Sequence, residues 1–155
     1  MKRKYMEEAI HLARWGMEND KGGPFGAVVV KDGVVVGWGY NTVTSSNDPT
    51  AHAEINAIRD ACRNLDTFSL EGCVIYTSCE PCPMCLSAIY WARIERIFFA
   101  CEMGDAAEAG FIDEDLYKEF CLPHSLRKIP SEQLMRRESI EVFQSWRAKE
   151  DRLLY

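Results

Sequence analysis

Apolar positions along the chain switch between two periods. From Tyr5 to Asn19 they recur at helical spacing, as Met6, Ala9, Ile10, Ala13 and Met17, until Gly22-Gly23-Pro24 stops the run. Two β-branched runs follow, Ala27–Val30 and Val34–Trp38, on either side of Lys31-Asp32-Gly33. An Asp-Gly pair between such runs is a strong hairpin signal. Asn41 to Pro49 is polar and reads as a loop, and helical spacing returns from Thr50 to Cys62 with Asp48 or Thr50 as cap. Cys73–Thr77 reads as a short strand, Pro81 or Pro83 opens a helix to about Trp91, and Ile94–Ala100 is another strand. An Ala/Glu/Gly loop then leads to a short helix near Asp113–Phe120, a loop with Pro123 and Pro130, and an amphipathic helix near Ile140–Leu153. A weak strand signal lies around Gln133–Arg137.

This order predicts an α/β fold, a three-layer α-β-α sandwich around a central mixed sheet of four to five strands. At 155 residues the chain suits a single domain with a sizeable core, and no repeat or linker interrupts it. No apolar run approaches the ~18 residues of a membrane span. The basic N-terminus leads into an amphipathic pattern and lacks the apolar stretch of a signal peptide. Seven cysteines, three of them at Cys79, Cys82 and Cys85, are too odd in number and too crowded for a disulfide framework. Free thiols in a reducing cytoplasm, some on a metal, fit better.

Charge narrows the partners. Lys and Arg total 18 against 24 Asp and Glu, a net charge of −6, and residues 102–119 carry seven acids against Lys118. A protein built for a polyphosphate shows a basic surface, so this balance favours a small substrate over nucleic acid.

Two motifs carry chemistry. His52-Ala53-Glu54 falls in the first turn of one predicted helix, and Pro81-Cys82-Pro83-Met84-Cys85 opens another. Cys82 and Cys85, three apart, reach one face, and thiolates with imidazole are ligands that zinc favours. Three protein ligands leave a fourth position for water, helix N-termini help keep the sulfurs as thiolates, and Glu54 is free to move that water's protons. His-x-Glu with Pro-Cys-x-x-Cys is a known signature of zinc deaminases. Two other arrangements compete: a closed structural site with Cys79 as fourth ligand, and a metal-free redox pair of Cys82 and Cys85. Cys79 precedes Pro81 at a strand end, and neither alternative needs Glu54, so the catalytic arrangement is preferred. Cys62, Cys73, Cys101 and Cys121 are expected to be buried small hydrophobes. Trp15, Trp38 and Trp146 are expected in the core, and His11 and His124 in structural or surface positions.

Longer stretches carry a resemblance. Pro24-Phe25-Gly26-Ala27, Thr50-Ala51-His52-Ala53-Glu54 and Glu80-Pro81-Cys82-Pro83-Met84-Cys85 resemble the cytidine deaminase-like superfamily. Gly22 to Ala27, Ser46 to Thr50, Tyr76 to Glu80, Ala88 to Arg93, Asp105 to Phe111, Phe143 to Arg147 and the terminal Tyr155 resemble, more narrowly, small bacterial guanine deaminases. The resemblance implies hydrolytic loss of the 2-amino group of guanine, giving xanthine and ammonia. By position it implies one Zn2+ per chain, with a bound water, on His52, Cys82 and Cys85, and Glu54 moving protons among water, ring nitrogen and leaving amine. Asp113 would be a second proton-handling acid, though an acid near a helix start has another reason to be there. Phe25 would stack on the purine, Asn41 would orient it, and Ala53 and Trp91 would complete the contacts. The resemblance also implies a homodimer in which a segment of about 122–155 is exchanged and Tyr155 covers the neighbour's site. Residues 132–141 depart from the family pattern. The metal motif is shared with tRNA adenosine and cytosine deaminases, so it fixes the reaction class only, and guanosine, ammeline-like triazines, cytosine or its nucleosides, and tRNA stay open as substrates.

Overall fold

The computed structural model describes residues 2–155, which divide into two compact units, one running to Glu114 and the other Asp115–Tyr155. The first holds helix α1 (Lys2–Glu18), strands β1 (Gly26–Lys31) and β2 (Val34–Tyr40), the short helix α2 (Val43–Ser46), α3 (Ala53–Leu65), β3 (Cys73–Cys79), α4 (Pro83–Trp91), β4 (Arg96–Cys101) and α5 (Met103–Glu108). Helix α6 (Glu114–Cys121) starts at the boundary, and a 3-10 turn (His124–Leu126) and α7 (Arg136–Ala148) follow.

The four strands form one mixed sheet in the order β2-β1-β3-β4, with β1 antiparallel to both neighbours and β3 parallel to β4. The hairpin turns at Asp32 and Gly33, both at positive φ (49° and 80°), as a two-residue turn between twisted strands requires. Alternate residues of β1 enter different cores. Ala27 and Val29 pack with Ala53, Ala57 and Ala61 of α3 and Ile89 of α4, while Val28 and Val30 pack with Tyr5 and Ala9 of α1. Both faces of the strand are thus covered, which is why its sequence reads as a continuous apolar run. This is the expected three-layer arrangement.

Helix α3 lies unusually close to β2. A Cβ on Gly39 would stand 2.1 Å from the Ala53 carbonyl oxygen, and one on Gly37 would stand 2.4 Å from that of Ala57. Three α3 side chains spaced by one helical turn then bond alternate backbone groups of the strand. Asn56 Nδ2 donates to Tyr40 O (2.9 Å), Trp38 N–H donates to Asp60 Oδ2 (3.1 Å), and Asn64 Nδ2 donates to Val36 O (2.9 Å). Four helical residues rise about 6 Å and two strand residues about 6.8 Å, so the two repeats stay in step. The ladder satisfies an edge strand's backbone and fixes where the N-terminus of α3 falls.

Several local expectations are corrected. The polar stretch after Asn41 contains α2, and the Ala/Glu/Gly stretch contains α5, whose Asp105 carboxylate accepts from the Glu102 N–H at 2.8 Å. No strand forms at 133–137: α7 begins at Arg136, where Arg136-Arg137-Glu138 favours helix and offers no β-branched side chain. Cys73 is buried as expected, but Cys62 is half-buried and Cys101 and Cys121 are exposed. Trp15, Trp38 and Trp146 are exposed too. The α3 side of the sheet is filled by Ala53, Ala57 and Ala61 with Leu70, Ile75 and Ile89, and Trp15 instead meets Tyr40 edge-on at 5.0 Å. His11 and His124 are exposed, as expected.

Asp115–Tyr155 contains no buried residue. It is braced by Lys128, whose Nζ meets Asp115 Oδ2 at 3.0 Å and whose N–H donates to Glu119 Oε2 at 2.9 Å. No described helix is long and apolar enough to cross a membrane.

Candidate metal centre

His52 and Cys82 are the N-cap residues of α3 and α4, with nearly the same extended backbone (φ −67°, ψ 160° and φ −64°, ψ 167°). Neither type is a favoured cap, and neither side chain caps its helix. Both are thereby left to point at a shared space, towards which two helix N-termini turn their unpaired N–H groups and positive dipole ends. Asp48 and Thr50 instead bond one another in the preceding turn, Thr50 N–H and Oγ1 both donating to Asp48 Oδ1 (2.8 and 2.6 Å).

Cys85, in the first turn of α4, completes the group. His52 Nδ1 lies 3.6 Å from Cys82 Sγ and 3.5 Å from Cys85 Sγ, and all three donor atoms fall within 4.8 Å of one another. Zn–S and Zn–N bonds of ordinary length at a tetrahedral angle would separate nitrogen from sulfur by about 3.6 Å. The donor set therefore fits one zinc ion in both chemistry and spacing.

The protonation pattern suits a cation. Cys82 is held down to about 4, chiefly by the neighbouring Cys85, against the opposing effect of burial and with help from His52. Cys85 is pushed far up, first by the neighbouring Cys82 and then by burial. His52 is raised, first by its bond to Cys82. One thiolate, one thiol and a raised imidazole share protons that a divalent ion would replace.

Glu54, one residue inside α3, is 7% exposed. Burial, above all, raises its carboxyl from 4.5 to about 7. The Cys85 thiol donates to its Oε2 at 3.4 Å, so Glu54 adjoins the ligand group without belonging to it. Cys79, the fourth ligand of the closed alternative, also stands outside. Its thiol donates to Glu102 O at 3.6 Å, and burial pushes it up to about 11. Asp113 Oδ1 is the only buried side-chain oxygen or nitrogen among the described residues without a hydrogen-bond partner. Burial first, then the nearby Cys82 and Glu80, raise its carboxyl.

Residues 1–101 match the cytidine and deoxycytidylate deaminase zinc-binding region. The chain belongs to this deaminase family. It is 54% identical over 143 residues to a guanine deaminase of Bacillus subtilis, covering 92% of each chain. It superposes on the X-ray structure of guanine deaminase from Bacillus subtilis with a TM-score of 0.96 at 51% identity, covering 99% of this chain and 98% of that one. A tRNA-specific adenosine deaminase of Aquifex aeolicus is 41% identical over 99 residues, 64% of this chain and 65% of its own.

Around the deaminase centre, the other candidate residues fall in four places. Phe25 and Asn41 close the end of the β1–β2 hairpin, the Asn41 N–H donating to Phe25 O at 3.0 Å. Asn41 is buried, and its Oδ1 accepts from the N–H of Gly23 and of Val43 at 3.1 Å each. Phe25 meets Phe111 edge-on at 4.8 Å, a contact the sequence did not signal. The Ala53 methyl is in the core, so only its first-turn N–H is on offer. Trp91 ends α4, about 12 Å along the helix from its ligand-bearing start, and is exposed. Tyr155 is exposed in the second unit. Asn56, which motif reading passed over, binds Ala51 O at 3.3 Å as well as Tyr40 O, and its place one turn after His52 was the available signal.

Proposed function

We propose that this chain hydrolyses guanine to xanthine and ammonia with one catalytic zinc ion. The observation that carries this reading is the near full-length likeness to a guanine deaminase, spanning both units, on a centre whose donor group is His52, Cys82 and Cys85 with Glu54 beside it. The tRNA-specific relative matches only part of the chain, and the acidic charge of −6 gives no support to a nucleic acid partner.

His52, Cys82 and Cys85 hold the ion, which when bound supplies a Lewis acid able to lower a water's pKa from about 16 to near 7. Phe25 stacks on the purine, the Asn41 amide donates to an acceptor on its ring, and the Ala53 N–H offers a further donor. Glu54 takes a proton from the attacking water and delivers it to a ring nitrogen, a role that suits its buried place beside the donor group. The water oxygen bonds to C2 and the C2–N bond breaks. Asp113 supplies the proton that lets the exocyclic amine leave as ammonia and regains one from the C2 hydroxyl as that group becomes the xanthine carbonyl, a role that fits its buried, unpartnered Oδ1.

The working form is a homodimer in which a segment of about 122–155 is exchanged and Tyr155 covers the neighbour's substrate. Supporting this, Asp115–Tyr155 buries nothing of its own and exposes Phe120, Ile129, Leu134, Val142, Phe143 and Leu154. Apolar surface on that scale calls for a partner. The cytoplasm suits the free thiols.

The test is ammonia release from guanine, cytosine, guanosine, adenine and ammeline by zinc-replete protein, with the product identified by chromatography. Guanine turning over to xanthine far faster than the rest supports the reading. Preference for another base overturns it.

A further inference from the structure

One side chain and one backbone bond join the hairpin end to the turn before α3. Asn56 Nδ2 lies 2.9 Å from Tyr40 O, 3.0 Å from Thr42 Oγ1 and 3.3 Å from Ala51 O. Tyr40 and Thr42 flank Asn41, and Ala51 immediately precedes His52. The Asn56 N–H closes the first helical bond of α3 onto His52 O at 3.0 Å, and Thr42 N–H donates to the same Ala51 carbonyl at 3.0 Å. One residue therefore ties the hairpin end that carries Phe25 and Asn41 to the turn that carries His52 and Glu54. The side-chain chemistry is restrictive. Three acceptors converge on one NH2 group, whereas Asp has no donor, Ser and Thr have one, and Gln sets its amide one methylene further out.

We propose that Asn56 is a positioning residue for the deamination. It sets the distance from the Asn41 amide to the His52–Glu54 turn, and so the placement of the bound base against the reacting water. The inference rests on the reading that Asn41 orients the base. Misplacement of reacting groups by about 1 Å costs on the order of a hundredfold, so loss of this tie acts on catalysis well beyond its effect on folding.

Two measurements on zinc-loaded protein test it, using Asn56→Ala and, as a milder variant that keeps one donor, Asn56→Ser. The first is a double-mutant cycle on kcat/KM with Asn41→Ala. Asn56→Ala alone should lower kcat/KM for guanine by about tenfold or more, but by less than about threefold once Asn41 is already truncated, because its effect runs through Asn41. Asn56→Ser should recover part of the loss, with zinc content unchanged. The second is amide hydrogen exchange. The N–H groups of Gly23, Thr42 and Val43 should exchange about tenfold faster in Asn56→Ala while those of α1 and β3 keep their protection. Effects on kcat/KM that multiply independently, or protection lost evenly across the sheet, would reduce Asn56 to a packing residue and overturn the proposal. If wild-type protein made no xanthine, the guanine reading would fall. The cycle would then run on whichever base is deaminated, and the exchange pattern would still decide the role of Asn56.

Discussion

The Cys85 thiol donates to Glu54 Oε2 at 3.4 Å, so a carboxyl sealed from water touches the ligand group without entering it. That contact separates two jobs, holding a metal and moving a proton, that lie only two residues apart in His52-Ala53-Glu54.

Burial of Glu54 gives the metal-free protein a pH dependence. Its folded pKa is about 7 against 4.5 for a free carboxyl, so the folded state binds the proton more tightly than the unfolded one. Stability from this source is complete below about pH 4.5 and is lost as pH rises through 7. Glu54→Gln removes the term. Urea unfolding of metal-free wild type and variant should show the variant gaining with pH, reaching an advantage of up to roughly 3 kcal/mol near pH 8. A difference that stays constant with pH would mean that the carboxyl is hydrated.

Cys79 should be dispensable for zinc. Its thiol faces Glu102 O, outside the donor group. Cys79→Ala is expected to keep one zinc per chain and most activity, with a stability loss of about 1 kcal/mol. Metal analysis showing zinc lost would restore the closed four-ligand site.

The close seating of α3 predicts a contrast between two glycines. A methyl on Gly39 would meet Ala53 O at 2.1 Å, next to the ligand His52, whereas one on Gly104 meets nothing within 4 Å. Gly39→Ala should lower stability by about 1–3 kcal/mol or more and weaken zinc binding. Gly104→Ala, inside α5, should be neutral or stabilising by up to about 1 kcal/mol. Thermal melts with zinc titrations read both.

Asp113 stands just before α6, where an acid needs no catalytic reason. Asn is as good at such a position, so Asp113→Asn separates the two roles. Proton handling predicts a fall in kcat of about ten- to a hundredfold with zinc and stability kept. Unchanged kcat would assign the residue to the helix start.

The zinc centre was legible because its chemistry sits in contiguous motifs, and the hairpin because Asp32-Gly33 is local turn chemistry. Both depend on neighbours in sequence. The elements that were missed depend on partners or on weak propensity. Gly104 dilutes the helical pattern of α5, and the weak strand signal at 133–137 masked the start of α7. Size alone suggests core positions for the tryptophans, yet Trp15 packs edge-on against Tyr40 and Trp15, Trp38 and Trp146 all stay exposed. Asn56 was silent because its partners, at residues 40, 42 and 51, converge only once the helix lies on the strand.

The central claim is an open zinc site of three protein donors with a separate proton-moving carboxyl, and Glu54→Gln tests it most directly. Zinc content and xanthine formation are measured together on the purified variant. The account predicts one zinc per chain, as in wild type, with turnover reduced by at least about a hundredfold. Zinc lost from the variant, or turnover left near wild type, would contradict it.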